Sequence, residues 1–183
     1  MTGHSVLQLP VAPLEAWVRA RTAHHDVGFV SADPRFGHAH VTALAPFDPA
    51  PDAAALATVG AIAASTPPVE VRLDALAQFP NGIIHLVPDP DTVLRELTAR
   101  LVAAFPQWPP YGGAFGTRPG DLQPHLTVDA ASDLVDLPST AALLAGTVPV
   151  DAVLDRLQLA WWETDNCHVL HEWRLGHAAP PAT

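Results

Sequence analysis

The chain has 183 residues, about half of them apolar, and a formal charge of −10. That length and apolar content suit one packed domain or two small fused lobes, and exclude a disordered chain. All nine cationic side chains are Arg, since Lys is absent. So few cations exclude a broad electrostatic grip on nucleic acid, because neutralising many phosphates takes many Lys or Arg. They leave room for a small anionic substrate held by a few local donors.

No apolar run reaches the ~18–20 residues of a membrane span. The start, MTGHSVLQLP, lacks a cationic segment followed by an apolar one, so no signal peptide is expected. The single Cys167 cannot form an internal disulfide, which fits a reducing, cytoplasmic setting. No cofactor, metal or membrane partner is expected.

In chain order, 5–11 is an apolar run closed by prolines and reads as a strand. The stretch 13–24 carries Leu14, Trp17, Val18 and Arg21 at helical spacing, with Pro13 at a tolerated first-turn position. After a loop over 25–38, 40–44 reads as a strand stopped by Pro46. An Ala-rich helix over 52–65 follows, capped by Asp52. The alternation of Val69, Val71 and Leu73 with Glu70, Arg72 and Asp74 predicts a half-buried strand over 69–79.

The order then restarts. A strand over 82–87 precedes a helix over 91–105, with Val93, Leu94, Leu97, Leu101 and Val102 on one face. A long Pro-, Gly- and aromatic-rich loop spans 106–122. A strand over 125–128 and a helix over 132–145, which Pro138 threatens to break, come next. An extended run over 148–162 and a last strand over 166–175 complete the pattern. The terminal AAPPAT, 178–183, is expected to be disordered.

Within this repeat, His-x-Thr occurs twice, at His40-Val41-Thr42 and His125-Leu126-Thr127, 85 positions apart. On a strand, residues i and i+2 share a face, so each His projects with its Thr. Fragments around the two copies also echo in order, LPVAP with LVPDP and VRLDAL with VLDRLQ. The repeat predicts an α+β fold of two similar lobes related by a pseudo-twofold axis. One lobe is built from 5–79 and the other from 82–162 plus 166–175, within a single domain over 1–177. If the lobes meet, two imidazoles and two hydroxyls converge in a cleft. Two imidazoles flanking a reacting group suit general acid–base chemistry near neutral pH. Threonine hydroxyls can donate to phosphate oxygens without adding charge.

The pair HVTA and HLTV resembles the signature of the 2H phosphoesterase superfamily, specifically the bacterial 2′-5′ RNA ligase-like or RNA 2′,3′-cyclic phosphodiesterase proteins. The resemblance runs from Ser5 to Leu175 and includes AHVTALAPF, TPPVEVRLDALAQFP and FPQWPPYGGAF. It implies two antiparallel sheets lining a central cleft, with helices outside. It also implies metal-independent phosphodiesterase chemistry on 2′,3′-cyclic or 2′-5′-linked phosphodiesters, reversible as ligation. His40, Thr42, His125 and Thr127 are the catalytic set. By analogy His125 takes a proton and His40 gives one in cyclic phosphate opening, with the roles exchanged in ligation. RNA-acting members often surround the cleft with basic residues. Here only Arg35 and Arg118 lie in loops near the motifs, which favours a small nucleotide over an RNA end.

Candidate substrate contacts are Phe47 at the cleft mouth, Tyr111 and Phe115 on the aromatic loop, Arg118, and His85 and His171 on predicted strands. Two rival readings remain. One is a nucleotide-binding module with little turnover. The other is a metallohydrolase built on His38, His40 and other histidines, although His38 and His40, which share a face, have no Cys or carboxylate at matching spacing.

Overall fold

The computed structural model describes residues 3–114 and 122–177. Eight strands form one antiparallel sheet: β1 His4–Pro10, β2 His40–Phe47, β3 Val69–Gln78, β4 Ile83–Asp89, β5 Leu126–Ala130, β6 Val150–Leu154, β7 Arg156–Trp162 and β8 His168–Arg174. Four helices accompany them: α1 Glu15–His25, α2 Ala53–Ala64, α3 Thr92–Ala104 and α4 Leu137–Leu144. None of the described helices is long and apolar enough to cross a membrane.

The strand order is β6-β3-β4-β5-β2-β1-β7-β8. The α+β class stands as expected, with the strands hydrogen-bonded into one sheet of two four-stranded halves. Strands β3 to β6 make one half of the sheet, while β1 and β2 pair with β7 and β8 in the other. The first repeat therefore sends β3 across, and the second sends β7 and β8. β3 packs beside β4, and β7 packs beside β1. The halves join where Val41 on β2 pairs with Leu126 on β5.

The extended run over 148–162 is really two strands that part at Asp155. They stand at the first and seventh positions of the sheet. Six strand spacings of a flat sheet would separate them by roughly 29 Å. One intervening residue spans only about 7 Å. The sheet must therefore curl until its ends meet.

Helices staple the seam from outside. α3 packs on β2, and α1 packs on β5. On α1, Arg21 Nη2 and His25 Nε2 reach the buried Asp129 of β5 at 2.6 and 2.5 Å, and Thr140 Oγ1 on α4 donates to the same carboxylate at 3.1 Å. Burial alone would raise the Asp129 carboxyl. The hydrogen bonds from His25 and Arg21 outweigh it and hold the group below its usual range.

The main core cluster runs through both halves and includes Leu7, Val41, Phe47, Leu73, Leu86, Leu101 and Leu126, and a smaller cluster gathers Phe36, Ala160, Cys167 and Val169. Strand β2 does not stop at Pro46 but runs on to Phe47. α4 does not break at Pro138. Proline there occupies the first turn, and Asp136 and Ser139 close a capping box around it.

Candidate active site

The seam places the two His-x-Thr pairs. In an antiparallel ladder, one step along one strand is one step back along the other. From Val41 opposite Leu126, that puts Thr42 opposite His125 and His40 opposite Thr127. Val41 and Leu126 are buried in the core, so His and Thr of both strands take the other face. Four side chains thus form a two-by-two patch, with directly opposed residues spaced by roughly 5 Å at Cβ. Both histidines and Thr42 are half-buried, and Thr127 is exposed.

Both imidazoles are held alike. His40 Nδ1 donates to the His38 carbonyl at 2.9 Å, and His125 Nδ1 donates to the Gln123 carbonyl at 2.8 Å. A carbonyl only accepts, so the proton sits on Nδ1 and leaves Nε2 for exchange with a ligand. Burial pushes His40 down to about 4, against the carbonyls of His38 and Gly37, and the nearby charge of His125 adds to the effect. Burial also lowers His125, with the Gln123 carbonyl opposing.

A cavity of about 830 Å³ opens beside the patch. Thr42, His125 and Thr127 line it, with Phe79, Tyr111, Asn81, Leu44 and Leu122 among the walls. None of its described lining residues is Asp, Glu, Lys or Arg. His40 lies deeper, its ring 5.3 Å from that of Trp162.

The proposed substrate contacts divide. Tyr111 lines the cavity and shares a hydrogen bond with Thr42, and burial raises its phenol. Its φ of 51° is left-handed, and Gly112 and Gly113 continue that turn. His85 stands beside the site. It pairs with Thr127 across β4–β5, and its ring lies 5.3 Å from that of His125. It is 1% exposed, stacks on Phe79 at 3.9 Å, and its Nε2 is buried without a hydrogen bond.

Two expectations are corrected. Phe47 is not at the cleft mouth. It is 1% exposed and packs edge-on to Phe105 at 5.0 Å, because β2 continues past Pro46 into the core. His171 is not at the cleft either. It lies on edge strand β8, in register with the buried Leu159, and contacts Trp173. Phe115 and Arg118 fall outside the described residues.

His38 is not a free metal ligand. Its Nε2 accepts from the Ser31 N–H at 3.1 Å, and its Nδ1 donates to Glu15 Oε1 at 2.6 Å. No cluster of three or more His, Cys, Asp or Glu with metal-binding geometry occurs among the described residues.

Sequence reasoning missed two neighbours of the site. Gln8, fully buried, pairs with Thr42 across β1–β2. Its Oε1 accepts from Trp162 Nε1 at 3.0 Å, which fixes the indole beside His40. Glu15 reaches the entry of β2 from the first turn of α1. A polar residue inside the apolar run VLQLP was a usable signal for Gln8. A lone Glu opening a helix gave none.

A family model described as the 2′-5′ RNA ligase superfamily matches residues 9–166. None of the curated proteins matches the sequence significantly. Among solved structures, the protein TT0787 of Thermus thermophilus superposes with a TM-score of 0.60 at 17% identity, covering 98% of this chain and 100% of that one. E. coli LigT complexed with 3′-AMP gives 0.53 at 16% identity, covering 96% and 99%. E. coli LigT complexed with NADP+ gives 0.54 at 18%, covering 94% and 98%. These likenesses concern the fold. The family match spans most of the sequence and both His-x-Thr strands, and the chain belongs to the 2′-5′ RNA ligase superfamily.

Proposed function

We propose that the protein is a phosphodiesterase that opens 2′,3′-cyclic phosphates, or cleaves 2′-5′-type phosphodiesters, by two-histidine acid–base catalysis. The observation that carries this reading is the patch at the seam. Two imidazoles, each held through Nδ1 with Nε2 available, stand diagonally across two threonine hydroxyls. Water attacks phosphorus and gives its proton to one Nε2. The bond from phosphorus to the leaving ribose oxygen breaks, and that oxygen takes a proton from the other Nε2–H. Thr42 and Thr127 donate to the non-bridging oxygens as charge builds there. The two histidines supply both proton transfers, so the scheme calls for no metal.

We assign His40 as the base, because it is the ring that stays unprotonated over the working range, and His125 as the acid, the reverse of the assignment by analogy. His40 is the more deeply set ring, held neutral down to about pH 4. A cavity lining without Lys or Arg among its described residues favours a small nucleotide with a single phosphodiester over a polyanionic chain. The nucleotides bound by E. coli LigT are consistent with that scale.

The test is a panel in EDTA of the four nucleoside 2′,3′-cyclic phosphates, a 2′-5′ dinucleotide and an RNA with a cyclic phosphate end. It runs beside His40→Ala and His125→Ala. Each histidine removed should cost about 10²–10⁴ in rate. Full activity in both variants would overturn the reading. Tight nucleotide binding without product would favour the second reading, a binding module.

A further inference from the structure

The two histidines look alike from the site but differ behind it. The carbonyl that holds His40 Nδ1 belongs to the peptide joining His38 and Ala39. The N–H of that same peptide donates to Glu15 Oε2 at 2.9 Å. Glu15 Oε1 takes the His38 Nδ1 proton at 2.6 Å. In a trans peptide the N–H and C=O point in opposite directions. A carboxylate gripping the N–H therefore aims the C=O the other way, onto His40.

The peptide holding His125 joins Gln123 to Pro124. Proline has no N–H, so no carboxylate can act through it.

We propose that Glu15 is the positioning residue of His40, orienting and polarising it through the His38–Ala39 peptide. It does what a triad aspartate does for its histidine, with one peptide unit interposed. The carboxylate fixes the Nδ1–H tautomer and stabilises the imidazolium that forms when Nε2 takes a proton. A hydrogen-bond chain ending in an anion strengthens each link. Glu15 is suited to carry the charge. It sits in the first turn of α1, where the helix favours an anion. Burial would raise its carboxyl, but bonds from His38 and Ala39 outweigh that and hold it below its usual range. The groups around His40 are Glu15 on α1, His38 ahead of β2, Thr127 and His125 at β5, Pro10 and Gln8 on β1 and Trp162 on β7. Glu15 is the one carboxylate among them. The supporting role deepens the reading of His40 as base.

The test uses Glu15→Gln, with Glu15→Asp as the conservative partner. Long-range 1H–15N spectra of the imidazoles at neutral pH read the tautomer directly and need no turnover. The expected result is an Nδ1–H pattern for His40 in the wild type. The Gln variant should show mixing with the Nε2–H form, largely reversed in Asp, while His125 stays unchanged as an internal control. On a substrate turned over by the wild type, Gln should lower kcat about 10–100-fold with KM nearly unchanged. An unchanged His40 pattern in Glu15→Gln, or in Glu15→Ala should the Gln variant not fold, would overturn the proposal. So would equal changes at both histidines. If no panel substrate is turned over, the spectra still decide Glu15, and only the phosphodiesterase reading fails.

Discussion

Val41 and Leu126 face each other across the ladder that joins the two halves of the sheet. Everything proposed for the site follows from that pairing. A shift of one residue would turn one His-x-Thr pair into the core and expose its apolar neighbours.

Thr42→Val and Thr127→Val test the hydroxyls separately. Each should lower kcat by about ten- to a hundredfold, at the low end of losses seen for oxyanion donors. Thr127 is exposed, so its variant should keep wild-type stability by thermal melting. Thr42 also meets Tyr111, so its loss should loosen that loop as well. Unchanged kcat in both variants would remove the hydroxyls from the mechanism.

The pH profile follows from the two histidines. His40 must be neutral to accept a proton, and His125 must be protonated to give one. kcat/KM should therefore rise with pH through the His40 midpoint near 4 and fall through that of His125, which lies below its usual 6.5. The optimum belongs on the acid side of neutrality. A plateau extending well above pH ~7.5 would contradict the assignment.

Acid also probes His40 through stability. In the unfolded chain it protonates near 6.5, while in the folded protein it resists until about 4. Between those values the unfolded state binds the extra proton, so stability falls as pH drops. For this half-buried ring the loss is on the order of 1–2 kcal/mol. Urea melts of wild type and His40→Asn near neutral pH and again close to the His40 midpoint should show a smaller decline in the variant. Glu15 and Asp129, both held low, add their losses at still lower pH.

Phe47→Ala separates packing from binding. Its ring fills the core against Phe105, so the variant should lose about 3–5 kcal/mol by denaturant melts. The KM of the folded fraction should not move. A raised KM with intact stability would return Phe47 to the cleft.

Asp129→Ala should cost about 3–5 kcal/mol, since it strands Arg21 in a buried setting. The measurement is again a denaturant melt, and a change under about 1 kcal/mol would mean the α1–β5 tie is slack.

Much of this was legible in the residues. Helical spacing in 91–105 and alternation in 69–79 located α3 and β3, because those periods reflect which face is buried. The paired His-x-Thr identified the site because a strand fixes i and i+2 on one face. The strand order was not legible. Nothing local tells β6 to join β3 or β7 to join β1, since those pairings depend on how the curled sheet closes. Phe47 was misplaced because a proline ordinarily ends a strand, whereas β2 carries Pro46 and continues. Glu15 was invisible because its role depends on a peptide that begins 23 residues away in sequence.

The strand exchange divides the chain unequally. Residues 69–154 form one half of the sheet without interruption, and the other half is assembled from both ends of the polypeptide. The chain passes between them only at 66–68 and at Asp155. Both crossings lie against the end of β8, where the Leu175 N–H donates to the Asp155 carbonyl and Gly176 sits on Pro68. The molecule is thus an insertion read into a host. Tension on its two termini would be borne by the host half, while the inserted segment and its histidine would remain folded until the binding at those two crossings gave way.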